Sequence, residues 1–316
     1  MNKISTSNLP FIIPNELHNF VDDHFLDVHE QLSHTNAKDI DHLLGQGHIL
    51  FEGDPEAGVN VLALPFQQGW KPSMVLRSEM HRRINNPDGV TIVLPNNSIS
   101  DKWYSFNDKE VTTMADGDMK PFYEKQARTV ELALSRFGHI GKVVLDGYSQ
   151  GGLTALGIAT TGSTRLDVHA IHSIEAPNRN ITPKQLQKDF MSSGGNTLAA
   201  IKHANLQSLS KAMNLPKLAK DFAEFGIASL ANRGNKALYT AMSNPNYYRL
   251  IIDALVQNPE AKISTIRIEG SKLYDPVVTA DINNDRFTEI ALAKGPGSLG
   301  HATGDNIVAH ALMMKQ

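Results

Sequence analysis

Two hydrophobic periods alternate along most of this chain. Short apolar runs rich in Val, Ile and Leu stand at 49–52, 59–66, 90–95, 142–145, 166–174, 261–268 and 287–292. Each is of strand length, and Asp54-Pro55-Glu56-Ala57-Gly58 predicts a turn between the first two. Between later runs, apolar residues recur at three- and four-residue steps, which predicts helices over 73–83, 121–137, 153–160 and 305–314. Strands separated by helices of this length pair in parallel through right-handed crossovers, so the pattern predicts an α/β sheet.

Two stretches depart from the alternation. Over 15–45, Leu17, Phe20, Val21, Phe25, Val28 and Leu32 follow helical spacing behind Asn15, and Ile40, Leu43 and Leu44 mark a second short helix. This apolar stripe predicts a helical segment, 1–48, packed on the main domain. From 181 to 258 no strand pattern occurs; Thr182-Pro183 starts a helix, Gly194-Gly195 ends it, and helical periods continue to Leu255. An all-helical insertion in an alternating chain reads as a cap, which divides the core into 49–180 and 259–316. The loop 96–118 is long and unpatterned, and its Trp103, Tyr104 and Phe106 either line a pocket or fasten the loop to the core.

The most chemically pointed stretch is Val143-Val144-Leu145-Asp146-Gly147-Tyr148-Ser149-Gln150-Gly151-Gly152. It reads as strand, sharp turn, helix, with G-x-S-x-G at the turn. Glycines on either side of the serine let strand and helix approach without a Cβ collision, and the turn pushes the hydroxyl out at the sheet's edge. Gln150 opens the helix, so its backbone N–H is free to stabilise an oxyanion.

Bulk properties narrow the chemistry. At 316 residues the chain buries a large core, and its formal charge of −3 with no Lys/Arg run gives no sign of a nucleic-acid partner. The absence of cysteine excludes disulfides, zinc–thiolate sites and a thiol nucleophile. No run is long and apolar enough to span a bilayer and no N-terminal apolar signal is present, so the expectation is a cytoplasmic protein. Six of the thirteen histidines fall in the acidic first sixty residues, yet His18, His24, His29 and His34 lack the i, i+3 or i, i+4 spacing of a helical metal site. No metal is expected there; the segment is a solvated helix face or an arm for a partner or second subunit.

A serine hydroxyl needs a base, and the base needs a group that holds its tautomer. Ser149, Asp275 and His301 follow in the order nucleophile, acid, histidine, each in a loop after a predicted strand and therefore at one edge of the sheet. Glu175 competes with Asp275 for the acid, and Asp-Pro ahead of the last strand favours Asp275. His310 competes with His301 but falls among Val308 and Leu312 on a helix.

On these motifs the chain resembles the α/β-hydrolase superfamily over 49–314, with a G-Y-S-Q-G elbow of the form seen in cutinases and bacterial esterases. The resemblance implies an eight-stranded, mostly parallel sheet flanked by helices, a helical cap after the sixth strand, and ester hydrolysis through an acyl-enzyme with no cofactor. It implies a second oxyanion donor after Leu64, where Pro65-Phe66-Gln67 replaces the usual His-Gly; Gln67 is preferred to Phe66. Phe66, Tyr148 and Trp103 are the candidate substrate contacts, for a partly apolar ester-type small molecule. The same triad serves thioesters, amides and peptides, and a non-catalytic ligand-binding protein of this fold is the alternative.

Overall fold

The computed structural model describes residues 48–66, 78, 81–82, 85–96, 107–138, 140–178, 247–268 and 278–292. Seven strands are present among them: β1 (Ile49–Phe51), β2 (Asp54–Phe66), β3 (Gly89–Asn96), β4 (Val143–Tyr148), β5 (Val168–Ile174), β6 (Lys262–Ile268) and β7 (Phe287–Leu292). They form one sheet in the order β1-β3-β2-β4-β5-β6-β7. β1 runs antiparallel to β3, and every other pair is parallel. The eight strands implied by the resemblance are thus seven among the described residues.

The strand order reverses between β2 and β4: β3 lies on one side of β2, and the chain then returns to place β4 on the other. At such a reversal the loops leave the carboxyl ends of the two strands in opposite directions and open a crevice. The elbow after β4 stands at that point. One local expectation is corrected: residues 54–58 belong to β2 rather than to a turn, and a register shift against β3 between Asp54 and Val59 absorbs them. β1 accordingly pairs with β3 and makes no hairpin with β2.

Strand alternation sorts the core into two faces. Val59, Val61, Ile92, Leu145, Ile171 and Ile263 pack in the larger apolar cluster, together with three helices. These are α2 (Lys120–Leu134), α3 (Gln150–Ala159) and α4 (Tyr247–Gln257). Leu62, Leu64, Val93, Tyr148, Ile174 and Ile266 form a second cluster on the opposite face. All ten residues of α3 are buried, because α2 and α4 flank it while the sheet lies beneath. A methyl group on Gly157 would stand 2.2 Å from the Tyr123 ring, so only glycine allows α2 to come this close.

The loop 96–118, unpatterned in sequence, contains helix α1 (Asp108–Ala115). Its start is a reciprocal cap: the Asn107 side chain accepts from the Glu110 N–H at 2.9 Å, and the Glu110 carboxylate accepts from the Asn107 N–H at 2.8 Å. Helix α4, at the end of the sequence-predicted cap, buries Tyr247, Ile251, Ala254 and Leu255 in the core. Arg286 closes it by donating to the carbonyls of Leu255, Asn258 and Ala261 at 3.0, 2.8 and 3.3 Å. The remaining cap (181–246), the helices predicted over 15–45 and the closing helix 305–314 lie outside the described residues. No helix among the described residues is long and apolar enough to cross a membrane.

Candidate active site

The elbow follows from sterics at three glycines. A Cβ on Gly147 would lie 2.0 Å from the Gly151 carbonyl oxygen, and one on Gly151 would lie 2.1 Å from the Ala63 carbonyl oxygen. A Cβ on Gly152 would meet Ser173 Oγ at 2.7 Å. The start of α3 is therefore seated directly on the ends of β2 and β5, closer than any side chain would permit. Ser149 takes the resulting strain: as the N-cap of α3 it sits at φ 57°, ψ −130°, a conformation L-residues avoid at a cost of about 1–3 kcal/mol. Its N–H is held by the Ile174 carbonyl at 2.8 Å, and its carbonyl accepts from the Gly152 N–H at 2.8 Å.

Gln150 is the first residue of α3, so its backbone N–H has no intrahelical acceptor and lies in the positive field of the helix start. Its side chain is fully buried, and neither amide atom has a hydrogen-bond partner among the described residues. Tyr148 is packed in the second apolar cluster with Leu62, Leu64 and Ile174. Phe66 ends β2. Gln67, Trp103, Asp275, His301 and His310 lie outside the described residues. Of the sequence-predicted catalytic residues, the structure thus describes the candidate nucleophile Ser149 and the candidate oxyanion donor Gln150, adjacent at the start of α3. Glu175, the competing acid, follows β5 directly: it is buried, and at φ 50° it is the other non-glycine residue with positive φ among those described.

Below the elbow lies a polar network that the sequence reading passed over. Asp146, three residues before Ser149, shares its face of the sheet with Tyr148. Its Oδ1 accepts from His172 Nδ1 at 2.6 Å, and its Oδ2 accepts from His81 Nε2 at 3.0 Å and Asn60 Nδ2 at 2.8 Å. An ionised carboxylate only accepts, so the protons sit on His172 Nδ1 and His81 Nε2. Burial pushes the Asp146 carboxyl up, but His172 and His81 overcome it and hold the group well below the usual carboxylate range. The network ties β2, β4 and β5 to the β2–β3 connection. Its signal was available as Asn60, Asp146 and His172, polar residues set within strand runs that are otherwise largely apolar.

No protein-family model and no curated protein matches the chain. Among solved structures, an enol-lactonase from Burkholderia xenovorans LB400 matches at a TM-score of 0.50 and 10% identity, over 85% of this chain and 94% of that one. MGS-M2, an α/β-hydrolase enzyme from a Medee basin deep-sea metagenome library, matches at 0.47 and 13% identity, over 85% and 94%. A lipase-esterase related protein from Clostridium acetobutylicum ATCC 824 matches at 0.47 and 14% identity, over 85% and 97%. The chain has the α/β-hydrolase fold. The turn at Ser149 lies at the carboxyl edge of this sheet, against the ends of β2 and β5.

Proposed function

We propose that this chain is a serine hydrolase that cleaves carboxylic esters through an acyl-enzyme. One observation carries the reading: Ser149 is held in a strained conformation between a strand and a wholly buried helix, by close contacts that only glycines allow. Strain at a single serine, at the reversal point of the sheet, is what presentation of a nucleophile requires. In this reading His301 takes the Ser149 proton, Asp275 orients the imidazole, and the N–H groups of Gln150 and Gln67 receive the oxyanion. Water then releases the acyl group. The protein's own groups carry every step.

The substrate in this reading is a small, partly apolar ester. Thioesters and amides present the same carbonyl to the same groups, so the leaving atom is decided by assay. The test is labelling with a fluorophosphonate, comparing wild type with Ser149→Ala. Labelling of wild type alone is expected; equal labelling of both, or of neither, removes the serine mechanism. A panel of p-nitrophenyl esters, thioesters and amino-acid amides of increasing acyl length then separates the substrate classes.

A further inference from the structure

Tyr247 carries a hydroxyl where an apolar ring would suffice. It is the first residue of α4 and is buried in the larger apolar cluster with Ile251, Ala254 and Leu255. Phenylalanine would fill the same space, so the buried phenol needs a partner. One is present: Tyr247 Oη donates to Ser173 Oγ at 3.1 Å, across 74 residues of chain. Ser173 is itself fully buried.

Ser173 stands under the turn that carries Ser149. It shares its face of β5 with Ile171 of the larger cluster and is in register with Gly147 of β4, so it lies beneath α3. At Gly147 the floor has no side chain, and the Gly151 carbonyl oxygen settles 2.0 Å from where a Cβ would be. At Ser173 the floor is a hydroxyl: its Oγ is the nearest atom to a Cβ built on Gly152, at 2.7 Å. Gly152 in turn donates its N–H to the Ser149 carbonyl at 2.8 Å, closing the turn that holds Ser149 at φ 57°. An unbroken run of contacts therefore joins Tyr247 to Ser149 through Ser173 and Gly152. In a close-packed interior the group that touches the turn sets its height, and Tyr247 sets which way that group points. A serine hydroxyl without such a donor is free to take the other staggered positions. Because α4 closes the stretch that helical periodicity assigns to the cap, the inserted sequence reaches the floor of this turn.

We propose that Tyr247 is a positioning residue for Ser149: through Ser173 it fixes the height of the first turn of α3, and with it the serine hydroxyl and the Gln150 N–H. The proposal rests on the serine-nucleophile reading.

The experiment uses the full-length chain and a fluorophosphonate, following both the rate of labelling and the number of labels per chain at completion. Tyr247→Phe keeps the ring and removes the donor, and Ser173→Ala removes the acceptor. Each is expected to slow labelling about tenfold, the effect of a shift of roughly half an ångström where a full one costs about a hundredfold. Each should still reach one label per chain. Because both act through one hydrogen bond, the double variant is expected to match the slower single variant within about twofold. Tyr248→Phe, at the next and exposed position of α4, is the control and should label at the wild-type rate. The proposal is overturned if Tyr247→Phe labels within about twofold of the wild-type rate, or if the two single effects multiply in the double variant. A wild-type rate with a reduced endpoint also overturns it, since that is the mark of a merely destabilised fold. A labelled wild type with unaffected variants removes the role of Tyr247 alone, whereas an unlabelled wild type removes the serine mechanism and this proposal with it.

Discussion

Replacing Gly151 with alanine tests how closely helix and sheet must meet for Ser149 to be presented. The new methyl carbon would lie 2.1 Å from the Ala63 carbonyl oxygen, 2.7 Å from the Ala63 carbonyl carbon and 2.8 Å from the Leu64 carbonyl oxygen. Ordinary contact begins near 3.4 Å, so the first turn of α3 must retreat from β2 by roughly 1 Å in a close-packed interior. All three atoms are backbone, and α3 is buried on every side, so no side chain can swing away to make room. Overpacking of this kind costs about 3 kcal/mol, the upper end of its usual range. For a domain of this size that lowers the melting temperature by about 6–12 °C. Because Ser149 and Gln150 open the displaced turn, labelling of Ser149 should slow by about a hundredfold, the effect of an ångström-scale misplacement. Gly138→Ala is the control, since its Cβ would meet nothing within 4 Å and should change stability by less than about 0.5 kcal/mol. Urea denaturation and labelling kinetics of the two variants decide the matter. Equal stability and equal labelling of Gly151→Ala and Gly138→Ala would refute the reasoning.

Three further outcomes are expected. Ser149→Gly should abolish labelling yet raise stability by about 1 kcal/mol in urea, because glycine relieves the positive φ. Asp146→Asn should cost about 3–5 kcal/mol, since it leaves the donors of His172 and His81 facing a neutral amide. The native Asp146 pKa is depressed below its unfolded value of about 3.9, so its contribution is present above that pH and is lost as pH falls toward the native value. The stability of wild type should therefore drop below about pH 4 more steeply than that of Asp146→Asn, as unfolding titrations at pH 7, 4 and 3 would show. Arg286→Ala should cost about 2 kcal/mol through three lost hydrogen bonds to carbonyls at the end of α4, and should leave Ser149 labelling unchanged.

What was legible in the sequence follows from the range over which each feature is determined. The elbow is local: a short apolar run, three glycines and a helical period state it within sixteen residues of chain. The alternation of periods likewise predicted the parallel sheet, because each strand and crossover helix buries its own face. Helix α1 was missed, since its eight residues carry too few apolar positions to show a period, although Asn107 and Glu110 spelled out its cap. The pairing of β1 with β3 is a contact between distant segments, which no local pattern encodes. Glu175 is the hardest case: glutamate has no preference for positive φ, so its conformation is imposed by the hydrogen bond to β6 and by its neighbours.

The burial of α3 on all sides bears on when the site is lost during partial unfolding. Amide hydrogens exchange through openings that begin at exposed, sparsely packed segments, and a helix enclosed by two others and a sheet opens only with the whole domain. The amides of Leu153 to Ala159 should therefore be among the slowest to exchange with deuterium. Ser149 would then stay anchored while the edges of the sheet breathe, so a fluctuating molecule keeps this serine in place until global unfolding removes everything at once.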